Sequence, residues 1–475
     1  MKIRDLLQGI EFEGCGDIEI NNVVSDSRKV EKGCLFVCIK GYETDGHKYA
    51  EQAAKMGAAA ILAQDKIDVS CPVVYVNNTR RGMAIACAAF HGSPSKKFQL
   101  VGVTGTNGKT TTTFLIKHIL DNLGKKVGLI GTNYNMIGDE IIETSRTTPD
   151  SFELQALFAK MAEQNVDVVV MEVSSHALCL DRVYGCDYDV GVFTNLTQDH
   201  LDFHKTMENY RDAKGILFNM CKKGILNADD SASSTYFETG SCEFTSYSVD
   251  SESDLHAKNV VYTQKGVSFD VNGVEFSLAI PGKFSVYNGL CAIGAVKALG
   301  YDLDVIASYL KTATGVKGRA QVIDLGFDFT VLIDYAHTPD GIENILKAVR
   351  GFAKGRVVIL FGCGGDRDPI KRPIMGKAAS ALADFCIVTS DNPRTENPSD
   401  IIAQILPGVT GEHVVIENRR EAIEYAIRNA KTDDVIVLAG KGHENYQIIG
   451  KEKRHFDEEE ILFEIRDKIN REGVN

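Results

Sequence analysis

The sequence lacks the features that mark membrane-inserted and secreted proteins. No window reaches the ~20 consecutive apolar residues that a membrane-spanning helix requires, so we expect no membrane insertion. The first residues, Met1–Leu7, lack the apolar segment and small-residue cleavage site of a secretory signal. No internal repeat or low-complexity segment is evident either. We therefore expect a globular protein of the cytoplasm.

Excess positive charge and paired cysteines are also missing. Lys and Arg number 52 and Asp and Glu 65, which gives a formal net charge of −13, and no basic cluster forms a stripe for a phosphate backbone. Nucleic acid is therefore not an expected partner. The 12 cysteines include no C-x-x-C pair, so we predict buried free thiols rather than a redox or zinc site. Any bound phosphate has to be held by local geometry.

The length and the changes in pattern predict several domains. At 475 residues the chain is too long for one core, and ~150 residues per domain implies about three domains. We predict an α/β protein with an N-terminal mixed α/β domain (1–97), a central domain with a mostly parallel sheet (98–317) and a C-terminal Rossmann-like α/β domain (318–475).

Apolar runs predict strands, and apolar residues at helical spacing predict helices. Expected helices lie near 47–56, near 79–91, around Leu115–Leu123 before Gly124, and from about 286. Expected strands are 34–39, 98–103, 127–130, 166–173, 190–194, several within 240–280, and 356–361, 385–389 and 435–439. The last three strands each end in a polar turn, and ligands of open α/β sheets bind at such carboxyl ends.

A glycine-rich turn follows the strand at 98–103 and precedes a helix. In that position, backbone N–H groups and the helix N-terminus can hold phosphate oxygens. Lys109 is expected to reach the terminal phosphates of ATP and Thr110 to offer its hydroxyl to Mg²⁺. Val103 replaces the first glycine of the strict motif, and an ordinary glycine turn is the alternative interpretation. The turn consists of Gly105, Thr106, Asn107, Gly108, Lys109, Thr110 and Thr111.

Glu172 follows the apolar run Val166–Met171. A carboxylate that leaves a buried strand beside a phosphate loop is the usual second anchor for the metal. An acid at a strand end is more often simply solvated, but its position within Glu172–Leu178 favours the metal role.

Taken together, these motifs resemble those of the Mur ligases, in the family's order and over nearly the whole chain. The resemblance rests on Gly105–Thr111, Glu172–Leu178, Thr194–Asp202, Ala213-Lys214, Asn288, Gly318-Arg319, Asp334–Pro339 and Asp391–Arg394. It implies an ATP-dependent amide ligase of cytoplasmic peptidoglycan synthesis, and hence a role in cell-wall biogenesis, cell shape and cell division. In the family, the N-terminal domain holds UDP-N-acetylmuramoyl-dipeptide, the central domain is the ATPase and the C-terminal domain brings the amino acid.

The resemblance also implies the roles of the catalytic residues. Lys109 would stabilise the transferring phosphoryl group, and Thr110 and Glu172 would hold one Mg²⁺ ion. His200 and Lys214 would belong to a second metal site, with Lys214 carbamylated so that it presents anionic oxygens instead of an ammonium. Without the resemblance, Lys214 would be interpreted as a solvated helix lysine.

Further binding residues follow from the same resemblance. ATP contacts are expected at Asn288, Arg319 and Asp334, and muramoyl-peptide contacts at Thr147, Thr148, Ser174 and Arg182. Ser25 and Ser27 match the uridine-nucleotide site, with a purely structural Asp/Ser turn as the alternative.

The segment Asp391, Asn392, Pro393 and Arg394 predicts which amino acid is added. In the family this pattern marks members that add meso-diaminopimelate, whose second carboxylate is a natural partner for arginine. Further contacts are expected at Arg367, Gly440 and Glu444, where Glu444 could face an ammonium group. An Asx turn ended by proline is the structural alternative at Asp391, and it is compatible with binding.

Three alternatives remain open from the sequence. An L-lysine-adding Mur ligase would lack the arginine of the Asp-Asn-Pro-Arg segment. A folylpolyglutamate synthase-like ligase shares the chemistry but usually begins its phosphate loop nearer the N-terminus. An ATP-driven switch or binding module would not need polar strand-end turns in a separate C-terminal domain. We expect a monomer that acts on small molecules.

Overall fold

The computed structural model describes residues 1–41, 44–144, 146–263 and 265–472. The chain forms two compact units, one of Met1–Leu255 with Leu290–Ile306 and the other of His256–Gly289 with Ala307–Asn475. This division differs from the domain boundaries expected after residues 97 and 317, which stay predictions. Each unit is α/β, as expected from the sequence.

The N-terminal part of the first unit is a parallel sheet with helices. Its strands run in the order Val23–Val24, Leu35–Val37, Ala60–Ala63 and Val73–Tyr75. Its α-helices are Ile3–Leu6, Ala50–Lys55 and Thr79–Phe90, and its 3₁₀ helices are Ser27–Lys29, Gly46–Tyr49 and Pro94–Lys96. The two helices expected here are thus confirmed, and the first of them opens with a 3₁₀ turn.

A mostly parallel sheet forms the rest of the first unit. Its strands run in the order Leu255–His256, Glu243–Ser248, Cys221–Asn227, Tyr188–Phe193, Gln99–Thr104, Val168–Glu172, Val127–Ile130, Asn135–Ile137 and Glu140–Ile142. The last two are antiparallel, and the strands from Glu243–Ser248 to Val127–Ile130 are parallel. Its helices are Lys109–Asn122, Ser151–Glu163, Ser175–Cys179, Leu201–His204, Met207–Gly215, the 3₁₀ helix Ile216–Asn219, and Ala232–Thr239.

The order of these strands positions the phosphate loop. Gln99–Thr104 lies between Tyr188–Phe193 and Val168–Glu172, and all three are parallel. All five residues of Val168–Glu172 are buried, as a strand covered on both faces requires. Because parallel strands end at one edge, residues 105, 172 and 194 are neighbours there.

The second unit begins with an antiparallel sheet. The short strand Leu255–His256 precedes it in the chain, and its strands are Lys258–Thr263, Gly266–Val271 and Val274–Leu278. Two helices follow in the chain, Lys283–Ala298 and Leu303–Leu310, and their residues between 290 and 306 belong to the first unit. The β-rich stretch expected at 240–280 is confirmed, and the helix expected from about 286 begins three residues earlier.

The C-terminal sheet has the expected Rossmann-like character. Its strands run in the order Gln321–Ile323, Thr330–Asp334, Val435–Ala439, Val357–Phe361, Phe385–Val388 and His413–Val415. Only the first is antiparallel to its neighbour among these described strands. The other elements are the α-helices Pro339–Arg350, Lys371–Leu382, Pro398–Ile405, Arg419–Arg428 and Glu458–Glu472, the 3₁₀ helix Leu406–Gly408, and the hairpin strands Tyr446–Ile449 and Glu452–His455.

The helix Pro339–Arg350 illustrates how local sequence specifies these elements. Thr338 caps it by accepting a hydrogen bond from the Gly341 N–H at 3.1 Å, and Pro339 occupies the first turn. Its buried residues recur at helical spacing and pack onto the sheet. They are Ile342, Ile345, Leu346 and Val349.

All twelve cysteines lie in the described ranges and are free thiols. Most are buried, as predicted, but the prediction is wrong for Cys15 and Cys179, which are exposed. Cys179 ends a short helix, and Cys15 lies in the loop before Gly16, so neither faces the core. Among the described helices, none is both long and apolar enough to cross a membrane.

Candidate active site

The phosphate loop has the local structure expected from the sequence. Gly105 follows the strand Gln99–Thr104 with a φ of +145°, and an added Cβ would overlap the Thr194 hydroxyl. Gly108 has a φ of +84° and leads into the helix that begins at Lys109. Both positions therefore require glycine. The turn presents backbone N–H groups and a helix N-terminus in the geometry that holds phosphate oxygens.

The segment at 194–197 holds this loop in place. The Thr194 hydroxyl donates to the Asn107 carbonyl oxygen at 2.6 Å, and the Asn107 N–H donates to Asn195 Oδ1 at 3.0 Å. The Thr106 hydroxyl donates to the Thr197 carbonyl oxygen at 3.2 Å. These contacts explain why the two motifs lie together although they are about ninety residues apart in the chain.

Lys109 and Thr110 begin the helix and face the loop. The Lys109 ammonium donates to the carbonyl oxygens of Gly105, at 2.9 Å, and Thr106, at 2.7 Å. The Thr110 hydroxyl donates to Glu172 Oε1 at 3.0 Å. The two residues expected to anchor one metal ion are thus in direct contact.

Glu172 is buried at the end of its strand, with only 1% of its surface exposed. Oε1 also accepts a hydrogen bond from the Thr132 N–H at 2.9 Å, and Oε2 accepts one from the Thr132 hydroxyl at 3.0 Å. The interpretation of Glu172 as a solvated acid is therefore wrong. The sequence analysis missed Thr132, although it follows the buried strand Val127–Ile130 at the same edge and could have been found by that rule.

The expected muramoyl-peptide contacts cluster around the end of the same strand. The Thr148 hydroxyl donates to the Glu172 carbonyl oxygen at 2.8 Å and accepts from the Ser174 N–H at 3.1 Å. Arg182 donates to the Thr148 carbonyl oxygen at 3.1 Å. The Thr147 hydroxyl lies 3.0 Å from that of Thr132. All four expected residues therefore lie beside Glu172.

Lys214 is buried against the phosphate loop, so its interpretation as a solvated lysine is wrong. It is 1% exposed, and its ammonium donates to the Gly105 carbonyl oxygen at 2.8 Å. The same nitrogen lies 4.2 Å from the centre of the Tyr210 ring. Burial lowers the pKa of Lys214 well below its usual value; the Lys109 ammonium lowers it further, and Asp199 opposes the shift. The environment favours a neutral amine.

His200 lies near Lys214 in a cluster of rings. It has a left-handed φ of +53°, and its Nε2 lies 3.4 Å from the Asp199 carboxylate. Its ring centre is 4.9 Å from that of His176 and 6.0 Å from that of Tyr210. Tyr210 also shares a 3.2 Å hydrogen bond with the Thr106 hydroxyl. The sequence analysis assigned no role to His176 or Tyr210, although Tyr210 precedes Lys214 by one helical turn.

These residues fit a magnesium centre in their chemistry. Thr110 and Glu172 offer hard oxygen donors that already touch each other at the phosphate loop. Lys214 in its ammonium form would repel a cation, so the fit of the second site depends on modification of its amine.

The two serines expected at the uridine-nucleotide site flank Asp26. The Asp26 carboxylate caps the 3₁₀ helix Ser27–Lys29 by accepting from the Arg28 N–H at 2.9 Å, and it pairs with the Arg28 guanidinium at 2.8 Å. Ser25 and Ser27 are half-buried. The structural turn is confirmed, and nucleotide binding by these serines stays a prediction.

In the second unit, Arg319 and Asp334 lie near each other. The Asp334 carboxylate accepts from the N–H groups of Ala320 and Ala336, both at 2.8 Å. Burial raises the pKa of Asp334, and the Arg319 guanidinium opposes this. Arg319 lies over the Tyr335 ring, 5.0 Å from its centre. Asn288, the third expected nucleotide contact, is buried in Lys283–Ala298.

The Asp391–Arg394 segment forms a turn with two inward-facing polar residues. The Asn392 N–H donates to Asp391 Oδ1 at 2.7 Å. The alternative of an Asx turn is wrong, because Pro393 lies two residues beyond Asp391 and has no N–H to donate. Gly440, with a φ of +116°, approaches so closely that an added Cβ would lie 2.7 Å from Asp391 Oδ2.

Arg394 and Arg367 both lie near Gly364. Arg394 has a φ of +51°, and its Nη1 donates to the Gly365 carbonyl oxygen at 2.8 Å. A Cβ on Gly364 would lie 2.8 Å from Arg394 Nη1 and 3.8 Å from Arg367 Cγ. Arg367 itself is exposed. The Arg394 guanidinium and the Cγ of Arg367 therefore both lie near Gly364, and a guanidinium is a natural partner for a carboxylate.

Glu444 joins this group through Asn392. The Asn392 Nδ2 donates to Glu444 Oε2 at 2.9 Å. Lys441, which is fully buried, contacts both residues. No role was assigned to Lys441 from the sequence, because its burial follows from the tertiary fold.

The chain is similar to known proteins over most of its length. Three family models match the chain: the Mur ligase family catalytic domain over residues 19–91, the Mur ligase middle domain over 103–296 and the Mur ligase glutamate ligase domain over 318–442. Each lies within one of the three predicted segments.

Individual relatives match over almost the whole chain. The UDP-N-acetylmuramoyl-L-alanyl-D-glutamate--2,6-diaminopimelate ligase of Bacillus cereus is 50% identical over 469 residues, which cover 96% of each chain. The protein of that name from Clostridium botulinum is 49% identical and covers 99% of this chain and 100% of its own.

Solved structures give the same result. A structure with that ligase name has a TM-score of 0.75 at 31% identity and covers 99% of both chains. The folylpolyglutamate synthase of Mycobacterium tuberculosis has a TM-score of 0.61 at 18% identity over 76% of this chain and 92% of its own, and so shares the fold. The architecture is the three-domain α/β arrangement expected from the sequence, and the chain belongs to the Mur ligase family.

Proposed function

We propose that the protein is an ATP-dependent ligase that joins meso-diaminopimelate to UDP-N-acetylmuramoyl-L-alanyl-D-glutamate. The observation that carries this proposal is the turn Asp391–Arg394, which holds Arg394 and links Asn392 to Glu444 by a hydrogen bond. Sequence identities of 50% and 49% to relatives named for this reaction support the proposal. The product is a peptidoglycan precursor made in the cytoplasm, and it connects the protein to cell-wall biogenesis, cell shape and cell division.

The reaction proceeds by acyl activation. The carboxylate of the D-glutamate residue attacks the γ-phosphorus of ATP, the bond to the β-phosphate oxygen breaks, and an acyl phosphate and ADP form. The amine of the amino acid then attacks the acyl carbon, loses a proton and expels inorganic phosphate. Phosphoryl transfer depends mainly on charge neutralisation and in-line positioning.

Lys109 and the loop amides supply this positioning on the protein side. When phosphate is present, the Lys109 ammonium exchanges its carbonyl partners at Gly105 and Thr106 for phosphate oxygens. Bound Mg²⁺ would add positive charge next to the transferring group, held by Thr110 and Glu172. Asn288, Arg319 and Asp334 bind the remainder of the nucleotide.

We assign carbamylation to Lys214 and a second Mg²⁺ ion to Lys214 and His200. A carbamate forms when the nitrogen of a neutral amine bonds to the carbon of carbon dioxide and the amine releases a proton to water, and the buried environment of Lys214 favours the neutral amine. The carbamate carries anionic oxygens that suit magnesium. Its negative charge would also be balanced by the nearby Lys109 ammonium.

The other contacts are distributed along the same chain. Thr147, Thr148, Ser174 and Arg182 bind the muramoyl peptide, and Ser25 and Ser27 bind the uridine nucleotide in a domain of residues 1–97. The central domain, 98–317, carries ATP and the C-terminal domain, 318–475, carries diaminopimelate. All these contacts come from one polypeptide, which is consistent with a monomer.

Phosphate release from ATP tests this function. We expect release only when UDP-N-acetylmuramoyl-L-alanyl-D-glutamate and meso-diaminopimelate are both present, with the tripeptide product detected by mass spectrometry. L-lysine in place of meso-diaminopimelate should give little turnover. Steady ATP hydrolysis with neither substrate would contradict the ligase function, and equal turnover with L-lysine would contradict the choice of amino acid.

A further inference from the structure

Lys441 is a buried lysine beside Asn392 and Glu444, two of the residues proposed to bind the amino acid. None of its surface is exposed, although lysine is among the residues that proteins bury least often. Its ammonium lies 3.2 Å from Asn392 Oδ1 and 3.3 Å from Glu444 Oε2. The rings of Tyr446 and Phe456 lie near the same nitrogen, each with its centre 5.8 Å away. Burial of an ammonium is costly unless it is paired, and these two oxygens provide the pairing.

The Lys441 ammonium determines how the Asn392 amide is oriented. An amide has one accepting and one donating end. Lys441 and the Ile448 N–H, at 2.9 Å, both donate to Oδ1, and this requires the oxygen to face them. The Nδ2 group then points to Glu444 and donates to Oε2. A flipped amide would place N–H groups against two donors.

The same ammonium holds the Glu444 carboxylate. Oε2 receives hydrogen bonds from both Asn392 and Lys441, whereas Oε1 has a longer contact of 3.5 Å with the Tyr446 hydroxyl. The 3.3 Å contact and the bond from Asn392 fix the position of Oε2, and Oε1 has only the longer contact.

Asn392 also connects Lys441 and Glu444 to Arg394. The Gly365 N–H donates to the Asn392 carbonyl oxygen at 2.9 Å, and the Gly365 carbonyl oxygen accepts from Arg394 at 2.8 Å. The acceptor for an ammonium and the donor for a carboxylate are therefore linked through one asparagine. Lys441 contacts that asparagine from the buried side.

We propose that Lys441 is a positioning residue that orients Asn392 and Glu444 for recognition of the incoming diamino dicarboxylic acid. The inference rests on the proposed ligase function and adds a residue that contacts no substrate itself. Loss of the ammonium leaves Glu444 without its buried counter-charge and Asn392 free to flip. Affinity for the amino acid should fall, whereas the nucleotide and muramoyl-peptide contacts lie on other residues.

Steady-state kinetics of the full-length protein with Lys441→Met tests this role. We expect the KM for meso-diaminopimelate to rise about tenfold or more, the loss expected from one charge-assisted hydrogen bond. The KM values for ATP and UDP-N-acetylmuramoyl-L-alanyl-D-glutamate should stay unchanged. Lys441→Arg retains the charge and should give a smaller rise. Lys354→Met, at an exposed lysine of the same unit, is the matched control and should behave as wild type.

A double variant separates positioning from general structural damage. If Lys441 acts through Glu444, Lys441→Met combined with Glu444→Gln should raise the KM for meso-diaminopimelate little beyond the larger single effect. A Lys441→Met protein with unchanged KM for this substrate, or with equal rises for all three substrates, would overturn the inference. If Lys441→Met does not fold, the same comparison of the three KM values is made with Lys441→Arg. Absence of turnover in the wild type would instead refute the proposed function.

Discussion

The Lys214 ammonium lies 2.8 Å from the carbonyl oxygen of Gly105, the residue that opens the phosphate loop. A lysine of the helix Met207–Gly215 is therefore buried against the backbone that is expected to hold ATP. No carboxylate lies within ion-pair distance of Lys214 in the described part of the chain. Burial lowers the pKa of the Lys214 amine, and this is the basis of the carbamylation proposed above.

Replacement of Lys214 tests the carbamate. We expect Lys214→Ala to be almost inactive, since the second metal site loses its anionic oxygens, and to regain part of its activity when a short carboxylic acid is added. Initial rates with and without the acid measure this. Lys222→Ala, at an exposed lysine of the same unit, should retain full activity in both conditions. Normal activity of Lys214→Ala would refute the carbamate.

Replacement of Arg394 tests the choice of amino acid. A charge-assisted hydrogen bond contributes about 1.5–3 kcal/mol, so Arg394→Ala should lower kcat/KM for meso-diaminopimelate by about 10- to 100-fold. Any residual turnover with L-lysine should change much less, because lysine lacks the second carboxylate. Arg454→Ala serves as a control, since Arg454 is exposed and pairs with Glu452. Equal losses with both amino acids would contradict the carboxylate role.

The glycine at 318 offers a test of backbone packing. Gly318 and Gly326 have similar backbone conformations, with φ values of +71° and +75°. A Cβ added at Gly318 would overlap the His443 nitrogen, whereas a Cβ added at Gly326 would have no neighbour within 4 Å. Alanine in this conformation costs about 1–2 kcal/mol at either site. Overpacking should lower the free energy of unfolding of Gly318→Ala by a further ~1–3 kcal/mol. Urea unfolding of both variants measures the difference, and equal destabilisation would show that the loop at 442–443 moves aside freely.

His443 predicts a pH dependence of stability. Burial, assisted by the cations of Arg319 and Lys317, lowers the pKa of His443 from 6.5 to about 4. Between these values the unfolded chain binds the proton and the folded protein does not, so the free energy of unfolding falls as pH drops from about 6.5 to about 4.

The variant His443→Phe keeps a ring near Tyr335 and removes this titration. Its unfolding free energy should therefore fall less over that pH interval than that of the wild type. Urea unfolding of the ligand-free protein at several pH values measures the slope. His413→Phe, at an exposed histidine, is the control and should leave the slope unchanged. An identical slope in His443→Phe would show that other groups cause the loss.

The parts of the fold that depend on short-range pattern could be predicted from the sequence. The strand Val127–Ile130 was bounded correctly because a fully buried strand is a continuous apolar run. The phosphate loop and Glu172 were placed together because parallel strands end at one edge of a sheet. The rule that parallel strands end at one edge also applies to Thr132. The sequence analysis missed this residue because it lies outside both Gly105–Thr111 and Glu172–Leu178.

Burial of individual polar residues could not be predicted in this way. Lys214 lies in a polar-looking helix, and only the fold shows that one face of that helix meets the loop at Gly105. Lys441 is flanked by two glycines in a short turn, where a solvated side chain would be the usual expectation. The Asx turn at Asp391 is the opposite case, because the covalent structure of Pro393 already excludes it.

The turn Gly440–Glu444 lies between two sets of predicted contacts. Gly442 approaches Tyr335 and Gly318 on one side, and Gly440 approaches Asp391 on the other. The positive φ values of both glycines, +116° and +54°, leave little tolerance for larger residues. An inhibitor that hydrogen-bonds the main chain of this turn would depend on atoms that substitution cannot remove. Point mutations at these two positions that confer resistance would then also destabilise the enzyme's fold.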